Sequence, residues 1–85
     1  MNANMKFWQM AGVEVPGELL AATTEEERYQ ACHKMLKSIG AVMSRWPNHP
    51  KGFTYTVTTS DGKFHQFKTI KSFEGFAITR VGRSA

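Results

Sequence analysis

Lys63, His65, Lys68, Lys71, Arg80 and Arg83 interleave with Phe64, Phe67, Phe73 and Phe76 near the end of the sequence. Cationic side chains neutralise phosphates, and aromatic rings offer faces on which unpaired bases stack. Carried on one sheet surface, the combination would hold a single strand or RNA. The same pattern also fits phenylalanines turned into a core with the bases on the solvated side. Trp46, immediately before Pro47, and Trp8 add large rings of the kind that anchor protein partners, and five Met widen that supply.

Other chemistries are poorly served. Cys32, His33, His49 and His65 are the soft ligands of the chain. Cys32 and His33 are neighbours, so on a helix they point about 100° apart and make poor co-ligands for one ion. Neither C-x-x-C nor H-x-x-x-H occurs, and no metal or other cofactor is expected. His65, Lys68 and Arg80 could be cast as the base and the phosphorane-stabilising cations of a small ribonuclease toxin. Nothing in the spacing fixes their mutual geometry, so no catalysis is expected and the toxin stands as an alternative.

The sequence has 85 residues and a net charge of +4, unevenly distributed. Residues 1–27 hold one base and five acids, residues 28–85 ten bases and two acids. A basic second half attracts nucleic acid or an acidic protein surface by long-range steering. One domain without repeats or linkers is expected over 1–85. The single Cys32 rules out an intramolecular disulfide and suits a reducing, cytoplasmic compartment. No signal peptide or membrane span is read, and neither a membrane partner nor a small-molecule substrate is expected.

These residues must be positioned by secondary structure. Residues 53–81 are rich in aromatic and β-branched types, with Asp61-Gly62 between two strand-like runs. A two-residue I′ turn needs φ > 0 at both central positions, which Asp-Gly tolerates. A meander of strands at 53–59, 63–70 and 76–81 follows, with 71–75 as a connection. Register stays open. A two-residue turn sets Thr59 opposite Phe64 and Val57 opposite Gln66, whereas a one-residue bulge sets Tyr55 opposite Phe67 and Val57 opposite His65. The choice decides which phenylalanine is buried.

Thr23 and Thr24, with Glu26 and Glu27 three residues on, have capping-box spacing. Glu25–Glu27 lie at the positive end of the helix dipole, Lys34 and Lys37 at the other. Tyr29, Cys32, Leu36 and Ile39 form an apolar stripe widened by Met35, and Gly40 suits a left-handed ending. The spacing predicts a helix over 25–39. Residues 5–15 fit a strand or a short helix, with a strand favoured at 6–10 and a second at 13–15. Residues 41–46 favour a strand, and 47–52 a loop. The expected fold is α+β: one main helix packed on a mostly antiparallel sheet of about four strands.

Lys6-Phe7-Trp8, Glu14-Val15-Pro16, Thr24-x-x-Glu27 and Gly75-Phe76-x-Ile78-Thr79-Arg80-Val81 occur in an order that resembles the small podovirus-encoded inhibitors of bacterial RNA polymerase. The resemblance implies two N-terminal strands, a helix and a last strand, a polymerase partner, and Arg80 and Arg83 as contact residues. The 53–70 hairpin has no counterpart there. Taken together, the sequence points to a small basic binding module for nucleic acid, with an inhibitor or adaptor of a host enzyme as the alternative.

Overall fold

A computed structural model describes residues 2–48 and 52–84, the side chains of 82–84 excepted. In chain order the elements are helices α1 (Ala3–Met10), α2 (Gly17–Ala21) and α3 (Glu25–Lys37), strands β1 (Val42–Pro47), β2 (Phe53–Thr58) and β3 (Phe64–Phe67), and helix α4 (Ile70–Ser84). The fold is α+β, with an antiparallel sheet of order β1-β2-β3.

Helix α3 starts and stops where the sequence signals put it. The Thr24 hydroxyl accepts from the Glu27 amide at 3.1 Å, and the Glu27 carboxylate accepts from the Thr24 amide at 3.1 Å, closing a reciprocal capping box. At the other end the Ala41 amide donates to Leu36 O and the Gly40 amide to Lys37 O, the bond pair of a Schellman ending. Gly40 adopts φ +82°, open to glycine without penalty. Tyr29, Cys32 and Leu36 are buried, with Met35 and Ile39 partly so.

Two segments differ from expectation. Residues 6–10, expected as a strand, belong to α1, and 13–15 are irregular. Period three wins over period two because Met5 and Trp8 turn together into the helical layer, where Met5 has no exposure at all. The larger correction is α4. Residues 71–75, expected as a connection, and 76–81, expected as a strand, form one helix with Ile70 at its start. Ile78, Thr79 and Val81 carry β propensity, but burial at helical spacing overrides it. Phe73, Glu74, Ala77 and Ile78 are each no more than 1% exposed. Thr69 opens this helix by accepting from the Ser72 amide at 3.2 Å. Among the described residues there are thus three strands and four helices rather than four strands and one main helix, and the strand–strand–helix–strand order implied by the inhibitor resemblance is absent.

The bulged hairpin register is the one observed, with Tyr55 opposite Phe67 and Val57 opposite His65. Gly62 N donates to Thr59 O at 2.8 Å and Thr59 N to Lys63 O at 2.9 Å, leaving residues 60–62 as the loop. Only Gly62 takes positive φ, +85°, so this is a type I turn closed by a left-handed glycine rather than a I′ turn. The Asp61 carboxylate accepts from the Thr59 hydroxyl and the Lys63 amide.

Both long helices lie on one face of the sheet. Tyr29 of α3, Tyr55 of β2 and Phe73 of α4 form a ring triad with centroid separations of 5.8, 5.2 and 5.6 Å. The Tyr55 hydroxyl donates to Glu25, and the Arg45 guanidinium sits 4.1 Å above the Tyr29 ring while pairing with Glu26. Burial, with Glu25 beside it, pushes the Tyr55 hydroxyl well above the ordinary phenol range.

A buried carboxylate ties the helices together. Glu74 has no exposure, and each of its oxygens accepts two bonds. Oε2 takes Asn2 Nδ2 at 2.8 Å and Arg28 Nε at 2.7 Å. Oε1 takes Asn4 Nδ2 at 2.9 Å and an Arg28 terminal nitrogen at 2.5 Å. The start of α1, the first turns of α3 and the middle of α4 are thereby joined through one fully satisfied acceptor.

Candidate nucleic-acid interface

Strand alternation sorts the sheet into two surfaces. Met43 and Arg45 of β1, Tyr55 and Val57 of β2, and His65 and Phe67 of β3 face α3 and α4. The opposite surface carries Val42, Ser44 and Trp46, then Thr54, Thr56 and Thr58, then Phe64 and Gln66. Register sets these in rows, Val42–Thr58–Phe64, Ser44–Thr56–Gln66 and Trp46–Thr54. No described helix covers this surface.

This face has aromatic corners and a polar floor in which Thr54 and Thr56 are buried, at 5% and 4% exposure. Ser44 and Thr56 share a hydroxyl hydrogen bond of 2.6 Å across the strands. Thr54 donates to Asn48 Oδ1 at 2.7 Å. Above this hydroxyl row stand Trp46 at 49%, Phe64 at 62% and Val42 at 69% exposure. Single exposed apolar residues are ordinary, and here two aromatic rings and a valine share one sheet surface with threonines between them. Strand rise and spacing place the two rings about 16 Å apart on a diagonal.

The bases expected to contribute divide among three locations. Lys63 and Lys68 are exposed at the two ends of β3, where they bracket the open face. Lys71 is exposed in the first turn of α4, in the helical layer, away from the open face. His65 turns toward α4, its ring 4.6 Å from that of Phe76, with Nε2 buried and unpartnered among the described residues. The Arg80 guanidinium, one turn further along α4, rests 5.0 Å over the same Phe76 ring. Phe76 thus brings His65 and Arg80 together on the helical side. The Arg83 side chain and His49 lie outside the described residues.

Part of the basic excess is internally matched. Arg45 pairs with Glu26, Lys34 with Glu18 at 3.4 Å, and Arg28 with Glu74. Glu26 is held below the ordinary carboxylate range by the Gln30 hydrogen bond and then by Arg45. Lys68 and Lys71 have no carboxylate partner among the described residues.

Phe64 was not resolvable from sequence, because its outward direction depends on the hairpin loop length. Phe67 takes the opposite side, 5.2 Å from Phe76 and 6.3 Å from Phe73. No group of three or more His, Cys, Asp or Glu side chains that could hold a metal ion occurs among the described residues. Cys32 is buried, and burial raises its thiol far above the ordinary range. No described helix is long and apolar enough to cross a membrane. No protein-family model, curated protein or solved structure matches this chain.

Proposed function

We propose that this protein is a non-catalytic, cytoplasmic binding module that holds single-stranded nucleic acid across the open face of its sheet. Trp46 and Phe64 stack unpaired bases, Lys63 and Lys68 meet phosphates at the two ends of β3, and the exposed Thr58 and Gln66 side chains offer hydrogen bonds. The observation that carries this reading is the shared exposure of Trp46 and Phe64 on one face of the sheet. Stacking platforms need unpaired bases, which is why a single strand fits better than a duplex.

The test is fluorescence anisotropy of a labelled single-stranded oligonucleotide across a salt series. Saturable binding is expected, with log affinity falling linearly in log salt. Trp46→Ala and Phe64→Ala should each weaken binding by about 5- to 100-fold, the usual range for one base–aromatic stack. Absence of binding at low salt, or wild-type affinity in both variants, would sink the proposal.

A second reading is favoured by Val42, whose exposed side chain makes the patch partly aliphatic and so suited to a protein surface. An inhibitor or adaptor acting on a host enzyme would dock there. A pull-down from bacterial lysate separates the two. A stoichiometric protein band that survives nuclease supports docking, and loss of all captured material on digestion supports nucleic acid.

A further inference from the structure

A second feature stands apart from the sheet. The N-terminal ends of α1 and α4 and the approach to α3 enclose an open cleft of about 780 Å³, lined among others by Phe7, Trp8, Thr23, Arg28, Lys71 and Ser72. That volume lies within the roughly 300–1,000 Å³ of small-molecule sites.

Its walls combine rings and positive charge. Phe7 and Trp8 meet edge to face with centroids 5.9 Å apart and planes at 80°. Phe7 is 65% exposed, whereas Met5 and Trp8 are the α1 side chains that reach the core. Among the described residues the lining includes two cations and no carboxylate. Glu74 lies beneath them, but both its oxygens are fully used by Asn2, Asn4 and Arg28, and Arg28 balances its charge. Lys71 therefore remains as surplus positive charge in the lining, which also holds Ser72, whose hydroxyl accepts from Thr69 at 3.0 Å and keeps its own proton to donate.

We propose that this cleft binds a small ligand in which a planar aromatic ring is joined to an anionic group. The ring lies against Phe7 and Trp8 and the anion meets Lys71 and Ser72. An aromatic carboxylate and a nucleoside monophosphate share this chemistry. The site is independent of the sheet face and adds a small-molecule ligand, a class of partner not expected from the sequence.

The test uses the full-length chain and amide NMR, titrated separately with 2-naphthoate, its neutral alcohol analogue 2-naphthalenemethanol, and adenosine 5′-monophosphate. Saturable shifts are expected at the Trp8 indole N–H and the Lys71 and Ser72 amides for at least one of the two anions. Stronger binding of the monophosphate identifies a nucleotide site, and stronger binding of naphthoate a carboxylate site. The neutral analogue should bind about tenfold more weakly than naphthoate, and Lys71→Glu should weaken the anions about tenfold while leaving the neutral compound unchanged. Lys71 is exposed, so a spectrum otherwise like wild type will show that this variant folds. No saturable shift with either anion, equal affinity for the neutral analogue, or shifts confined to Trp46 and Phe64 would overturn the proposal.

Discussion

Replacing Glu74 by Gln should be among the most damaging near-isosteric changes in this protein. The side chain has no exposure, while that of Arg28 keeps 22%. Gln preserves shape and one acceptor oxygen, but its amide nitrogen then faces the Asn2 amide and Arg28 Nε, donor against donor. Breaking a buried ion pair from one side costs roughly 3–5 kcal/mol, and the partial exposure of Arg28 places this case near 3. A chain of 85 residues is expected to have about 4–13 kcal/mol in all, so the loss is a large share. Urea unfolding followed by circular dichroism is the assay. With a slope of about 1 kcal/mol per M for a small domain, the midpoint should fall by roughly 3 M. Arg28→Met should cost at least as much, since it strands a carboxylate with no access to water. The double variant Glu74→Leu/Arg28→Met should be less damaged than the sum of the two, because an apolar pair leaves no uncompensated charge. A Glu74→Gln cost below about 1 kcal/mol, or strict additivity in the double variant, would refute this account of how α1, α3 and α4 are held.

Three further outcomes follow from local geometry. Thr24→Ala should destabilise by about 1 kcal/mol at neutral pH through loss of the capping box. Its Glu27 partner is held below the ordinary carboxylate value of 4.5, first by the Thr24 amide and then by the Thr23 amide and both hydroxyls. A depressed folded-state pKa gives stability that is present above the unfolded value and lost as pH falls through the folded one, so the gap between wild type and Thr24→Ala should narrow below about pH 4.5. A gap that widens in acid would contradict the assignment. Gly62→Ala should cost about 1–2 kcal/mol, since φ is +85° and nothing lies within 4 Å of the added methyl, leaving backbone strain as the whole effect. Unchanged thermal stability would show that the loop relaxes to another turn. Cys32, with no exposure, should react with a thiol reagent only at the rate of unfolding, and rapid labelling of the native protein would contradict its placement.

Legibility in the sequence varied with how local the determining interactions were. Helix α3 was readable because Thr24, Glu27 and Gly40 act within a turn of themselves. The hairpin at Asp61-Gly62 was readable as a hairpin, but its loop length was not. Asp61 stays at negative φ and only Gly62 crosses to the left-handed region, and that single residue decides whether Phe64 or Phe67 faces water. Helix α4 is not legible locally, because Ile78, Thr79 and Val81 resemble strand residues in isolation. The Thr79 hydroxyl bonds back to Gly75 O at 2.9 Å, which satisfies it within the helix, and the contacts of Phe73 with Tyr29 and Tyr55 come from distant segments. The consequence for the candidate site is direct. Trp46 and the β3 lysines stay with the sheet, whereas Lys71 and Arg80 move to the helical layer. The role of Glu74 had no local signal, because its partners lie 46 to 72 residues away.

The most direct test of the central claim is an amide and indole NMR map of the intact protein during titration with a single-stranded oligonucleotide at low salt. The account predicts the largest shifts at the Trp46 indole N–H and at Val42, Ser44, Phe64 and Gln66, reversed by added salt. Tyr55 and Val57, on the opposite side of β2, should move least. Shifts centred on α1 or α3 with the open face unmoved, or no shifts at all, would contradict it.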